Sequence, residues 1–250
     1  MTASSVISSD EDLGYARSAT RFAAGEPLCF DETYRLAHLP LVNPQHPLAI
    51  SRRDGAHYND GRHPEAFSVV APVPDDALQA SGAFQDLQGE MRAASFAPKI
   101  SWDIVNRRSA RLHATICGGL GPEAPTAAFD LSGVAPFDVE LRGIFSGNIN
   151  LGRLYLKAYP QICGDSNGFR AIQSALGAKL TDLNPVGIYN LAEELTPAET
   201  GELDRLIRRW WDTPLLRLRV DQLWLLGSRD DLVLDSRILR PIYLRRRNLP

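Results

Sequence analysis

The sequence has little cysteine, no surplus of positive charge and no long hydrophobic run. Three cysteines in 250 residues, Cys29, Cys117 and Cys163, are odd in number and lack CxxC spacing. That argues against a disulfide framework and against a zinc ribbon, and the three read as free thiols of a reducing compartment. Twenty-seven Lys and Arg against 30 Asp and Glu leave a net charge of -3. A protein that holds long nucleic acid by counterion release usually carries a basic excess, so that class is set aside, whereas a small anionic ligand needs only a few local arginines. No stretch is apolar for long enough to span a membrane, and residues 1–18 carry neither a basic n-region nor an apolar h-region. The expected protein is cytoplasmic, with no membrane partner, no metal and no cofactor; nothing in the sequence speaks to an oligomeric state. Histidine is scarce as well, with five in the chain and none after His113.

What is present is an ordinary globular balance, 44% hydrophobic and 23% charged, in a chain long enough to bury a full core. Residues 1–65 differ in texture from residues 66–250. Ser9 or Asp10 can cap a short helix through Leu13, Ala16 and Phe22, and the stretch from Asn43 to Glu65 is dense in turn formers. It also holds His46, His57 and His63, so it reads either as a solvated loop or as a lid that contributes to a site.

From Phe67 onward the periodicities sharpen. A short apolar run ends at Pro74, and Phe84, Leu87 and Met91 then keep a helical spacing. Arg111 to Cys117 alternates, with His113 and Thr115 side by side on one face. Phe137 to Ile144 and Leu151 to Tyr159 alternate too. Phe169, Ile172, Leu176 and Leu180 mark a helix, Val186 to Leu191 a strand, and Thr196-Pro197-Ala198-Glu199 a capping box with proline at the first helical position. Strands close the chain at Leu215 to Leu226 and around Leu232 to Leu244. This order predicts an α+β fold in which helices cover mainly antiparallel sheets.

His113-Ala114-Thr115 is the best candidate for chemistry, because it sits on a clean strand, follows a strand-helix unit and precedes glycines. Here the chain resembles the two-histidine (2H) phosphoesterase superfamily, which includes 2′-5′ RNA ligase-like proteins and cyclic phosphodiesterases. Arg111-Leu112-His113-Ala114-Thr115-Ile116 is similar to the first family motif, and Phe137 to Phe145 to the strand pair that follows it. The segment Gly187 to Ala192, with Leu195 to Glu199, occupies the place of the second motif. The resemblance implies a bilobal, pseudo-symmetric pair of antiparallel sheets around a central groove, with phosphoric diester hydrolysis on a nucleotide or other small phosphorylated ligand. It implies His113 as acid or base and Thr115 as a phosphate contact. Two imidazoles suit the task, since one proton must leave the attacking oxygen and another must reach the leaving oxygen near neutral pH.

The second motif departs from the pattern: Gly187 stands where a histidine is expected, with Tyr189 and Asn190 nearby. Three readings follow. The protein is a divergent phosphodiesterase in which Tyr189, His57 or His63 supplies the missing proton function and Arg111 or Arg142 neutralises the anion; or the groove binds a nucleotide or phosphometabolite without turnover; or the scaffold serves a different reaction. Asn190 is a further ligand contact by position, and Trp102 either stacks a base or packs in the core. Cys117 reads as a packing residue, Asp138 and Glu140 as an ion-paired face with Arg142, Arg205, Arg208 and Arg209 as a solvated helix face, and Arg245 to Arg247 as a solvated tail.

Overall fold

Alternating segments that are apolar on one face and polar on the other pair into a single antiparallel sheet. The computed structural model describes residues 6–244, and Arg245 to Arg247 lie outside them. Its strands are β1 (Arg62–Pro72), β2 (His113–Leu120), β3 (Phe137–Ser146), β4 (Arg153–Pro160), the short pair β5 (Ile162–Cys163) and β6 (Ser166–Asn167), β7 (Val186–Asn190), β8 (Pro214–Val220), β9 (Gln222–Asp230) and β10 (Ser236–Tyr243). Eight of them run in the order β10-β9-β1-β2-β7-β4-β3-β8. Every neighbouring pair in that sheet is antiparallel.

The groove follows from two features of this order. β2 and β7, the central neighbours, share one residue pair, Ala114 with Val186, so the sheet consists of two four-strand halves that splay apart at the middle. The expected pair of sheets is thus one sheet with a minimal seam. The second feature is the link from β8 to β9, expected as one continuous strand from Leu215 to Leu226. Asp221 alone joins them, yet they stand six places apart in the sheet. Six strand spacings of a flat sheet measure roughly 29 Å, and two Cα–Cα steps reach at most about 7 Å. The sheet must therefore curl into a half-barrel, and the fold is α+β with helices around it.

Helices α1 (Asp10–Leu13), α2 (Tyr15–Ser18), α3 (Glu32–Ala37) and α4 (Leu39–Val42) precede the sheet, and α5 (Asp75–Ala80), α6 (Gly82–Ala93), α7 (Trp102–Arg108), α8 (Gly168–Ala175) and α9 (Pro197–Trp210) are interleaved with it. The capping box of α9 forms as expected: the Thr196 hydroxyl accepts from the Glu199 amide at 3.4 Å, and the Glu199 carboxylate accepts from the Thr196 amide at 2.7 Å. α8 is shorter than the Phe169–Leu180 spacing suggests. Gly177 adopts φ 60°, a left-handed conformation that ends the helix, and Leu180 is exposed.

Residues 6–61 pack into the body. Leu28, Phe30, Tyr34 and Leu39 belong to the main core cluster. The Tyr34 hydroxyl donates to the Leu191 carbonyl at 2.7 Å, the Asp31 carboxylate accepts from the Asn150 amide at 2.8 Å, and the Tyr15 hydroxyl donates to the Ala158 carbonyl at 3.2 Å. The 65/66 boundary also falls inside β1, which begins at Arg62. Burying side chains of this size contributes about 1.5–3 kcal/mol each. A chain lacking residues 1–60 is expected to lose its cooperative urea transition; a truncated protein that melts like the full chain would show the segment to be separable.

Candidate functional site

Where the two halves splay, a cleft of about 640 Å³ opens. His113 and Thr115 of β2 line it, together with Arg108 at the end of α7, Arg153 and Tyr155 at the start of β4, Gly187 of β7, and His57, His63 and Asp231 from the strand ends and turns at its rim. The pairing of Ala114 with Val186 in an antiparallel register puts His113 opposite Gly187 across the seam.

The His113 ring lies 2.7 Å through Nδ1 from the Arg111 carbonyl, an acceptor only. Nδ1 therefore carries the proton of the neutral ring and Nε2 keeps its lone pair. Burial pushes the His113 pKa down to about 4, assisted by the charges of Arg108 and Arg153. At neutral pH this imidazole is uncharged, with its one proton held on Nδ1 and a lone pair on Nε2. Thr115 is exposed to the cleft, and its carbonyl accepts from the Asn184 side chain at 2.8 Å, which ties β2 to the segment entering β7.

Two arginines that the sequence reading passed over make the cleft basic. Arg108 is buried, 2% exposed, and donates from Nη2 to the Gly187 carbonyl at 3.1 Å. Burial, then the nearby Arg153 charge, lowers its pKa to about 9, which still leaves it charged at neutral pH. Arg153 donates to the Asp231 carbonyl at 3.1 Å, and its guanidinium lies 5.3 Å from the Tyr155 ring centroid. A Cβ at position 187 would collide with that guanidinium, so the glycine is what lets Arg153 lie over β7. The alternation of β4 puts Arg153 in phase with Tyr155, a signal present in the sequence. Lys157 and Tyr159 share that phase but pack instead against Trp211 and Asp10.

On the opposite rim, His63 Nε2 is 3.3 Å from Asp231 Oδ1 and Nδ1 is 2.7 Å from the Pro64 carbonyl. The hydrogen bond to Asp231 raises the His63 pKa. Asp231 stays ionised: although burial opposes the charge, hydrogen bonding from His63 and the 2.8 Å bond from the Tyr58 hydroxyl hold its pKa below the usual carboxylate range. The His57 ring lies 5.8 Å from that of His63.

Other expected site residues lie elsewhere. Tyr189 and Asn190 are fully buried and do not line the cleft. A register shift between Leu154 and Tyr155, opposite Tyr189 and Gly187, breaks the alternation that would have kept Tyr189 in phase with Gly187. The Tyr189 ring instead meets Trp102 edge-on at 5.7 Å, and burial raises its pKa, so it is not placed to serve His113. Trp102 donates its indole N–H to the Ala97 carbonyl at 3.0 Å and lies under Arg92, away from the cleft. Arg111 contributes its carbonyl to His113 rather than its guanidinium to the cleft. Arg142, on β3, pairs with Glu140 at 2.6 Å and covers the Tyr159 ring. Cys117 is buried in the core, and burial pushes its thiol up to about 11. No group of three or more metal-ligating side chains occurs among the described residues, and no helix among them is long and apolar enough to cross a membrane.

No family model matches the chain, and no curated protein matches it. Among solved structures it is similar to TT0787 of Thermus thermophilus, at 15% identity and a TM-score of 0.40, over 73% of this chain and 100% of that one. That is a distant likeness of fold and says nothing about activity.

The buried imidazoles make the protein acid-sensitive. His113 and His38, whose pKa burial pushes down to about 3, stay neutral in the fold while the unfolded rings take up protons below 6.5. Stability is thus expected to fall as pH drops from 6.5 to 5, by on the order of 1–2 kcal/mol per ring. His63, with its raised pKa, has completed its opposite contribution by pH 6.5. Urea midpoints measured across this window check the slope, and H113Q should remove part of it.

Proposed function

We propose that the cleft binds a small phosphorylated ligand, a nucleotide or another small phosphodiester, and that the protein is a divergent phosphodiesterase. One observation carries the reading: a neutral imidazole, an exposed hydroxyl and two guanidiniums, one of them buried, line the same cleft. His113 Nε2 takes the proton from the attacking oxygen, and an anion bound beside it lifts its pKa toward neutrality. The Thr115 hydroxyl hydrogen-bonds a phosphate oxygen. Arg153, lying over Gly187, sets a fixed positive charge at the place where the family resemblance implies a second imidazole, so the developing negative charge is met by a cation. His63, at the cleft rim and biased toward its protonated form by Asp231, is the group suited to serve the leaving oxygen.

The same glycine favours a second reading, a binding module without turnover, because Arg153 holds a phosphate and cannot exchange a proton with it. Assays on nucleoside 2′,3′-cyclic phosphates, 3′,5′-cyclic nucleotides and 2′-5′ linked oligonucleotides separate the two. With turnover, H113A is expected to lower kcat by about 10²- to 10⁴-fold, the usual worth of a general acid or base. Nucleotide binding that depends on His113, with no substrate cleaved, would select the binding module; absence of both would remove phosphoester chemistry from this cleft.

A further inference from the structure

Arg108 is buried and Arg153 half-buried, and neither is paired as an arginine in such a place ordinarily is. Among the described residues neither forms a salt bridge with a carboxylate. Arg108 leaves Nε and Nη1, and Arg153 leaves Nε, buried without a hydrogen-bond partner in the protein. Leaving such groups unpaired inside a fold is costly, and more so where the group is charged. The cost is compounded because each guanidinium lies within the other's field.

Asp230 and Asp231 line the same cleft and act on Arg108 and Arg153 through space, but their carboxylates accept their hydrogen bonds from other groups. Asp231 serves His63 and Tyr58. Asp230 accepts from the backbone amides of Leu232, Leu234 and Asp235, at 2.9, 3.0 and 2.7 Å. His38 is fully buried, and burial followed by the Arg153 charge keeps it neutral, so it neither adds a cation nor balances one. Both cations line one cleft, each with buried N–H groups that have no partner in the protein. A phosphodiester carries a single negative charge and two unesterified oxygens. A phosphomonoester is a dianion above its second ionisation near pH 6, offers three acceptor oxygens and matches the planar guanidinium fork.

We propose that Arg108 and Arg153 form a clamp for a dianionic phosphomonoester, so that the ligand of this cleft carries a terminal phosphate as well as the ester linkage presented to His113. The inference rests on the reading that the cleft takes phosphorylated ligands and names which of them it selects. Gly187 is part of the device, since any side chain there would displace the Arg153 guanidinium.

Calorimetric titration of the full chain at pH 8 tests it with three probes: phenyl phosphate as the dianion, methyl phenyl phosphate as the monoanion, and malonate as a dicarboxylate. Phenyl phosphate is expected to bind at least about tenfold more tightly than the diester, and to lose that advantage between pH 8 and 5 as it takes up a proton. R108M and R153M should each weaken phenyl phosphate by about tenfold or more, and by a larger factor than they weaken the diester. If either variant fails to melt cooperatively, R108K and R153K carry the test: they keep the charge, lose the fork, and should show a smaller loss of the same selectivity. Equal affinity for the monoester and the diester, with both lost in H113A, would overturn the clamp and leave the phosphoester reading standing. Malonate binding as tightly as phenyl phosphate would replace phosphate by carboxylate as the anchored group. If neither phosphate ester binds, the clamp and the reading beneath it fail together.

Discussion

The architecture depends on a constraint of connectivity: one residue, Asp221, joins two strands that stand at distant places in the same sheet. The link can close only if the sheet curls. Once it curls, the two halves are held at their outer ends by the chain and at their centre by a ladder of one residue pair, Ala114 with Val186. A longer β2–β7 ladder would zip the halves together and bury His113 and Thr115 against β7. The hydrogen bonds forgone at the seam are what keep a cleft open, with the Asn184 amide to the Thr115 carbonyl acting as a stitch on one side.

The cleft so formed is costly. It assembles a neutral imidazole, two cations with unspent donors and an ionised aspartate within a partly dry space, and each of these groups would be better solvated in the unfolded chain. The remainder of the molecule offsets that cost through apolar burial. Residues of the N-terminal segment, Leu28, Phe30, Tyr34 and Leu39, enter the main core instead of forming a detachable cover. The same segment delivers His57 and His63 to the cleft rim, so the turn-rich stretch that precedes β1 serves both stability and the site.

Gly187 shows how one residue without a side chain shapes the chemistry of a site. A glycine opposite His113 removes a side chain from β7 and admits a guanidinium from β4, the neighbouring strand. The position opposite His113 is thereby occupied by a fixed positive charge. An arrangement of this kind favours holding and neutralising an anion over moving its protons.

Much was legible in the sequence alone. Period-two alternation located β2, β3 and β4, the capping box located α9, and His113 with Thr115 stood out as a polar pair on one strand face, because these are properties of short segments with their own backbone preferences. What only the tertiary structure decided depends on distant contacts. Alternation put Tyr189 in phase with Gly187, but a register shift against β4 turned it into the core. Arg108 and Arg153 looked like any other charged residues until the curl of the sheet brought the end of α7 and the start of β4 to one cleft. The physical reason is that a side chain's direction is set locally, whereas its neighbours, and hence its solvation and charge, are set by which strands the whole chain allows to pair.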